Sequence, residues 1–148
     1  MSAVRNRAIV RETATQSMGG GDVEVAVRAY AQNVVYHNPV LAGMPSRPSR
    51  PDAVRMVVMS TRQAFPDMRY TIESLVAEED RVALLYSWTG THTGAIGDVP
   101  ATGRVVSASG AIFCRLSHGK IVEQWDIDDR LAIMQQLGML STATPGQG

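Results

Sequence analysis

The hydrophobic period of the chain changes near residue 68, and this change limits the possible folds more than any other feature. Before it, apolar residues recur at helical spacing, as Val23, Ala26, Val27 and Tyr30 do. After it, apolar and polar residues alternate with the period of a strand, most regularly over residues 81–92. Helices followed by locally paired strands predict an α+β fold, with the helices packed on one face of a curved antiparallel sheet.

Glycines, prolines and capping residues predict where the elements end. A first helix over residues 4–18 ends at the three glycines that begin with Gly19, and Asp22 caps a second helix. A short strand over 34–36 and a loop over 40–50 precede a third helix, which ends at Phe65 and Pro66. The loop is predicted to be a flap that borders a site. Four strands follow, and Asp129 caps a closing helix that stops before Gly138.

Length and charge narrow the class of protein. A chain of 148 residues suits one domain, which we place at residues 1–140, with a disordered tail over 141–148. Its 14 basic and 14 acidic residues give no electrostatic footprint for nucleic acid or for a membrane surface. With no signal peptide pattern and no run of about 20 apolar residues, we expect a cytoplasmic protein.

Cofactor and metal motifs do not occur in the sequence. The three histidines lack ligand spacing, and neither a glycine-rich dinucleotide motif nor a P-loop is present, so we expect no metal and no cofactor. The single cysteine, Cys114, cannot form an internal disulfide and is interpreted as a small buried apolar residue.

The last third of the chain carries a family resemblance. GTHTGAIGDVPATGRVV (Gly90 to Val106) and GKIVEQWDIDDRLAIMQQLGML (Gly119 to Leu140) resemble the SnoaL-like polyketide cyclases. YHNP (Tyr36 to Pro39) and FPD (Phe65 to Asp67) stand where that family has similar segments. The resemblance implies the cone-shaped fold of the wider nuclear-transport-factor-two-like superfamily, with an internal pocket for a small hydrophobic or polycyclic substrate. It also implies a homodimer or homotetramer.

The resemblance further implies a cyclase that closes a ring by an intramolecular aldol reaction. In this family an aspartate near the end of the last strand serves as acid and base, and it maps to Asp129. If the alignment with the family shifts by a few residues, Asp126 or Asp128 takes this position instead. A polar helper on the neighbouring strand maps to Arg115, where a histidine would be expected. The resemblance therefore predicts that Asp129→Asn keeps the fold and lowers turnover.

Strand alternation gives a second set of candidates. If the last strand is regular, Glu123, Trp125 and Asp129 share one face, while Asp126 and Asp128 share the other. Trp88 and Trp125 would form walls that stack on a flat substrate, and His37 would share a proton with Asp129. The remaining candidates for contact with the substrate are His92, Tyr36, Tyr86 and Glu123.

Other interpretations of these residues stay open. Asp129 can be only a helix cap, the tryptophans only core residues, and Arg115 only a member of an ion pair. Epoxide opening or hydration would require two carboxylates that face each other across the pocket, for example Asp129 and Glu123. A binding module without enzymatic activity would have an apolar pocket, with Asp129 used only as a cap.

Overall fold

The computed structural model describes residues 2–41 and 50–140. Most of the predicted flap, residues 42–49, and the predicted tail, 141–148, lie outside the described residues, and the single domain over 1–140 stays a prediction. The helices are α1 (Ala3–Ser17), α2 (Val23–Arg28), a 3-10 helix (Pro39–Leu41), α3 (Arg50–Ala64) and α4 (Arg130–Gln136). The strands are β1 (Tyr30–His37), β2 (Arg69–Glu78), β3 (Arg81–Thr91), β4 (Val105–Ser117) and β5 (Lys120–Asp128).

The predicted α+β architecture is confirmed, and the sheet differs from the prediction in one strand pair. The five strands lie in the order β1-β5-β4-β3-β2, with β2 to β5 forming the predicted antiparallel meander. β1 pairs with β5 in parallel, so the sheet is mixed. A hairpin turn fixes the direction of neighbouring strands, whereas no turn joins β1 to β5, and the sequence pattern did not determine this pairing.

One face of the sheet, called here the inner face, is covered by α1 and α3. Val10 and Ala14 of α1 and Val54 of α3 pack in one apolar cluster with Leu84 of β3. Cys114, on β4, is fully buried in the same cluster, as the sequence predicted. A second cluster, at the end of the sheet nearest α4, contains Phe65, Trp88, Val106 and Leu137. The opposite face of the sheet is called the outer face.

A β-bulge in β5 decides which of its side chains point inward. Arg115 pairs with Glu123 and Leu116 pairs with Ile121, so Val122 is an extra residue opposite β4. Ile121 is fully buried before the bulge, whereas Gln124 is the buried residue after it. The prediction that Glu123 and Trp125 lie on the pocket face is therefore wrong, because one inserted residue reverses the alternation after Ile121.

Close backbone contact at Gly94 yields a stability prediction. A Cβ atom on Gly94 would lie 1.9 Å from the carbonyl oxygen of Gln63, a backbone atom at the end of α3. We expect Gly94→Ala to lower the free energy of unfolding by about 3 kcal/mol, because overpacking must shift the backbone. Gly97→Ala, where a Cβ would meet open space at φ +53°, is the control and should cost roughly 1 kcal/mol. If urea unfolding shows the same loss of unfolding free energy in Gly94→Ala and Gly97→Ala, the steric argument is contradicted.

Candidate active site

Asp126, on the inner face of β5, accepts hydrogen bonds from three side chains. Its Oδ2 accepts hydrogen bonds from the Tyr36 hydroxyl and the Asn38 amide, both at 2.7 Å. Its Oδ1 accepts one from the Gln124 amide, also at 2.7 Å. Burial raises the pKa of Asp126, and the three hydrogen bonds offset only part of this effect. A half-buried carboxyl group with a raised pKa is suited to gaining and losing a proton.

The parallel pairing of β1 with β5 brings the donors to this carboxylate. Tyr36 lies opposite Gln124 in the register of the two strands, which puts its side chain on the inner face. Asn38 follows two residues later, after β1 has ended, and its side chain turns to the same oxygen. The sequence YHN at the end of β1 therefore supplies two inward donors, with one outward residue, His37, between them.

A chain of hydrogen bonds fixes the orientation of Gln124. The Tyr30 hydroxyl donates to Gln124 Oε1 at 2.8 Å, and the Cys114 thiol donates to the same oxygen at 3.4 Å. With its oxygen occupied by donors, Gln124 must present its NH₂ group to Asp126. Burial raises the pKa of the Cys114 thiol, so Cys114 stays protonated and is not a nucleophile.

All four tyrosines of the chain lie on the inner face around Asp126. Tyr70 and Tyr86 stack with ring centroids 4.9 Å apart and planes at 25°. The Tyr86 ring extends over β4 at Gly110, where an added Cβ would lie 2.3 Å from its hydroxyl oxygen. Burial raises the pKa of both phenols, and the charge of Asp126 raises them further. The phenols of Tyr70 and Tyr86 therefore stay protonated and can donate hydrogen bonds.

Unpaired polar atoms and a small cavity lie near this cluster. Asp128 Oδ2 bonds to Arg130 at 3.0 Å, while Asp128 Oδ1 is buried and has no partner among the described residues. The Tyr70 hydroxyl is also buried and unpaired within the same residues. A cavity of about 30 Å³ lies between α1, α3 and the sheet, and Tyr36 and Gln124 contribute to its wall. This volume suits one water molecule.

Four of the predicted site residues meet instead on the outer face. His37 Nε2 lies 2.9 Å from Glu123 Oε2, and Arg115 Nη2 lies 3.4 Å from Glu123 Oε1. The His37 ring stacks on Trp125 with centroids 5.1 Å apart. The hydrogen bond from His37, followed by that from Arg115, lowers the pKa of Glu123. The bulge in β5 causes this placement, since it turns Glu123 and Trp125 away from Asp126.

Asp129 also lies outside the Asp126 cluster. It is exposed, and its Oδ1 accepts the backbone N–H of Ala132 at 3.1 Å as the N-cap of α4. The predicted cap is confirmed, whereas the pocket environment that a catalytic Asp129 would need is not found. Asp129 and Glu123 therefore do not form the facing pair of carboxylates that epoxide opening or hydration would require.

Trp88 and His92 point inward but belong to the second cluster. Trp88 packs edge-on against Phe65, with ring centroids 4.9 Å apart. His92 is fully buried, and its Nδ1 accepts the backbone N–H of Thr102 at 3.2 Å. Of the predicted contact residues, Tyr36 and Tyr86 are therefore the two that lie beside Asp126.

The sequence did not point to Asn38, Gln124 or Tyr70 as site residues. It gave Asp126 only as an alternative to Asp129 in the alignment with the family. Two signals were available in the sequence, namely the YHN segment and the low number of tyrosines. Neither indicates a shared site until β1 is paired with β5. Within residues 2–41 and 50–140, no group of three or more His, Cys, Asp or Glu side chains is arranged to hold a metal ion. No helix in these two ranges is long and apolar enough to cross a membrane.

Comparisons with known proteins agree with the fold. The family model of SnoaL-like polyketide cyclases matches residues 8–137. AclR from Streptomyces galilaeus, a candidate hydroxylase, is 27% identical with a TM-score of 0.80 over 97% of this chain and 87% of its own. IdmH from Streptomyces antibioticus, a candidate polyketide cyclase, is 29% identical with a TM-score of 0.76 over 90% of this chain and 98% of its own.

A third solved structure, a candidate polyketide cyclase from Acidithiobacillus ferrooxidans, is 30% identical to this chain. Its TM-score is 0.71, over 95% of this chain and 100% of its own. Among curated proteins, none matches the sequence significantly.

The raised pKa of Asp126 predicts a pH dependence of stability. A carboxyl group with a raised pKa in the folded state favours folding while it is protonated, below its unfolded pKa of about 3.9. This contribution is lost as the pH rises through the folded pKa. Relative to Asp126→Asn, we therefore expect the wild type to lose stability in urea unfolding as the pH rises above about 4. A stability difference that stays constant with pH would contradict the assignment.

Proposed function

The chain belongs to the SnoaL-like polyketide cyclase family, and from this premise we propose that it closes a ring in a small hydrophobic ketone by an aldol-type reaction, with Asp126 as acid and base. The observation that carries the proposal is the half-buried Asp126 carboxylate, which has three donors and a raised pKa. We place the acid–base role on Asp126 because it faces inward, accepts three hydrogen bonds and has a raised pKa, whereas Asp129 is exposed and caps α4.

The proposed step begins with transfer of a proton. A carboxylate offers about four lone-pair sites, and three of those on Asp126 are occupied by Tyr36, Asn38 and Gln124. The fourth, on Oδ1, takes a proton from the carbon next to a carbonyl group of the substrate. The resulting enolate attacks a second carbonyl, and protonated Asp126 returns the proton to the new alkoxide. No cofactor takes part in this cycle.

The surroundings of Asp126 support this role. Burial weakens the solvation of the charged carboxylate and makes it a stronger base than a carboxylate in water. The aromatic rings on the inner face offer flat apolar surfaces for a polycyclic substrate. A fixed carboxylate next to such surfaces would hold a folded substrate in the geometry of attack.

A second candidate, epoxide opening or hydration, is favoured by one observation. Asp126 and Asp128 share the inner face two residues apart, and Asp128 contributes to the raised pKa of Asp126. Two such carboxyl groups can divide the roles of acid and base. Hydrolysis of styrene oxide in ¹⁸O-labelled water, lost in both Asp126→Asn and Asp128→Asn, would identify this reaction.

We further propose that the chain forms a homodimer or homotetramer through the outer face. This face exposes Phe113 and Ile127, which are 40% and 65% accessible, and Leu85 at 48%. The three lie on adjacent strands, with Ala111 paired to both Leu85 and Ile127. A continuous apolar patch on a sheet marks an interaction surface.

The first experiment compares two aspartates. Exchange of the α-protons of 2-tetralone, a bicyclic ketone, is followed by NMR in D₂O. We expect the wild type to catalyse exchange and Asp126→Asn to lower kcat by about 10³-fold, the usual range for loss of a general base. Asp129→Asn is the matched control and should stay within about twofold, since asparagine caps helices as well as aspartate does.

Three results would contradict this assignment of function. No exchange by the wild type would reject acid–base chemistry on ketones and favour a binding module. Loss of exchange in Asp129→Asn alone would move the role to Asp129. Equal exchange in all three proteins would show that neither carboxylate is the base.

The second experiment tests the oligomer by light scattering. We expect Ile127→Lys to shift the mass to that of a monomer, because a buried charge at an apolar interface is costly. Val4→Lys, at a residue of α1 that is 79% exposed, is the control and should leave the mass unchanged. A monomeric wild type, or an oligomer that persists in Ile127→Lys, would reject the outer face as the interface.

A further inference from the structure

The neighbouring strand gives Asp126 no polar helper. β4 is described in full, and the residue directly opposite Asp126 is the apolar Ile112. Register with β3 and β5 gives the inward residues of β4, which are all apolar or small: Val106, Ala108, Gly110, Ile112, Cys114 and Leu116. Arg115, the predicted helper, pairs with Glu123 on the outer face. A group that stabilises negative charge on the substrate oxygen must therefore come from an element other than β4.

Tyr86 reaches the site from β3, one strand further away. Gly110 lies opposite both Tyr86 on β3 and Asp128 on β5, so it is the point where a β3 side chain can cross β4. The Tyr86 hydroxyl lies directly over Gly110, within 2.3 Å of the position that a Cβ would occupy and beside the Ile127 carbonyl. Any larger residue at 110 would displace the phenol.

The hydroxyl groups of the other three tyrosines either donate hydrogen bonds within the protein or are buried. The Tyr36 hydroxyl donates to Asp126 and the Tyr30 hydroxyl donates to Gln124. The Tyr70 hydroxyl is buried below the surface. Within the described residues, the Tyr86 hydroxyl has no hydrogen-bond partner and is not fully enclosed, so it is free to meet a ligand.

We propose that the Tyr86 hydroxyl donates a hydrogen bond to the substrate carbonyl oxygen as negative charge develops on it, and that Gly110 positions Tyr86 by leaving room for its phenol. This inference rests on the proposed function and adds a second catalytic residue to it. It assigns the helper role of the family to β3 instead of β4.

The chemistry balances without a further reactant. The C–H bond next to the carbonyl breaks, its proton goes to Asp126, and its electron pair forms the carbon–carbon double bond of the enolate. The Tyr86 hydroxyl keeps its proton and donates it in a hydrogen bond to the enolate oxygen. Burial, followed by the charge of Asp126, raises the pKa of Tyr86, which keeps the phenol protonated at neutral pH. A fixed donor of this kind lowers the barrier because it acts where the charge forms.

The test uses the same 2-tetralone exchange with three variants. Tyr86→Phe keeps the ring and removes only the hydroxyl, and we expect kcat to fall about 10²-fold with little change in KM, as for loss of one oxyanion donor. Gly110→Ala should lower kcat in the same direction, because the phenol is displaced. Thr71→Val is the control, because it also removes a single hydroxyl but at an exposed residue on the outer face of β2.

A double variant that combines Gly110→Ala with Tyr86→Phe shows whether Gly110 acts by positioning Tyr86 or whether its substitution disturbs the structure in general. If Gly110 acts through Tyr86, Gly110→Ala will add little to the loss in kcat already caused by Tyr86→Phe. Binding of 2-naphthol, a planar mimic of the enolate of 2-tetralone, gives a readout that does not depend on turnover and should weaken about tenfold in Tyr86→Phe. This measurement also covers the case in which Gly110→Ala fails to fold.

The outcomes distinguish this inference from the proposed function. Exchange that depends on Asp126 but is unchanged in Tyr86→Phe would overturn the role of Tyr86 and leave the proposed function intact. An equal loss in Thr71→Val, or a fully additive double variant, would also overturn the inference. Exchange that does not depend on Asp126 would reject the proposed function itself. If the wild type does not bind 2-naphthol, the proposed hydrogen bond from the Tyr86 hydroxyl to the enolate oxygen is contradicted.

Discussion

The bulge at Val122 in β5 is the constraint on which the candidate site depends. One extra residue reverses the alternation of the strand, so that Gln124, Asp126 and Asp128 face the helices while Glu123 and Trp125 face outward. Without the bulge, Glu123 would face the apolar core while its partner Arg115 stayed on the outer face of β4, which would leave a costly unpaired charge inside. The same residue therefore creates the buried carboxylate and keeps the other charges on the outer face.

The half-buried Asp126 carboxylate is stable only because neighbouring side chains donate hydrogen bonds to it. Tyr36 and Asn38 reach it from β1, and Gln124 reaches it from β5, held by the Tyr30 hydroxyl. These donors compensate part of the cost of burial without removing it, since the pKa of Asp126 stays raised. The network thus leaves a carboxyl group that is a stronger base than one in water.

Features that depend on local sequence were predictable. The change of period gave the helices and the meander, and the caps at Asp22 and Asp129 form the expected bonds to backbone N–H groups. Gly138 stops the last helix in a left-handed conformation, with φ +74°. The buried Cys114 also followed from its type and its strand. Each of these depends on neighbours within a few residues, where propensity and period act.

The sequence by itself determined the order of helices and strands, their caps and the family resemblance. It was wrong at Tyr30, which the helical spacing assigned to the second helix and which is the first residue of β1. Only the tertiary structure decided that β1 lies parallel to β5, that Val122 forms a bulge and that Tyr86 crosses β4 over Gly110. The reason is that these features join residues far apart in the chain, whose pairing is set by packing of the whole sheet against α1 and α3. Because the alternation of a strand reverses with one inserted residue, His37 and Trp125 turned outward while Asp126 turned inward.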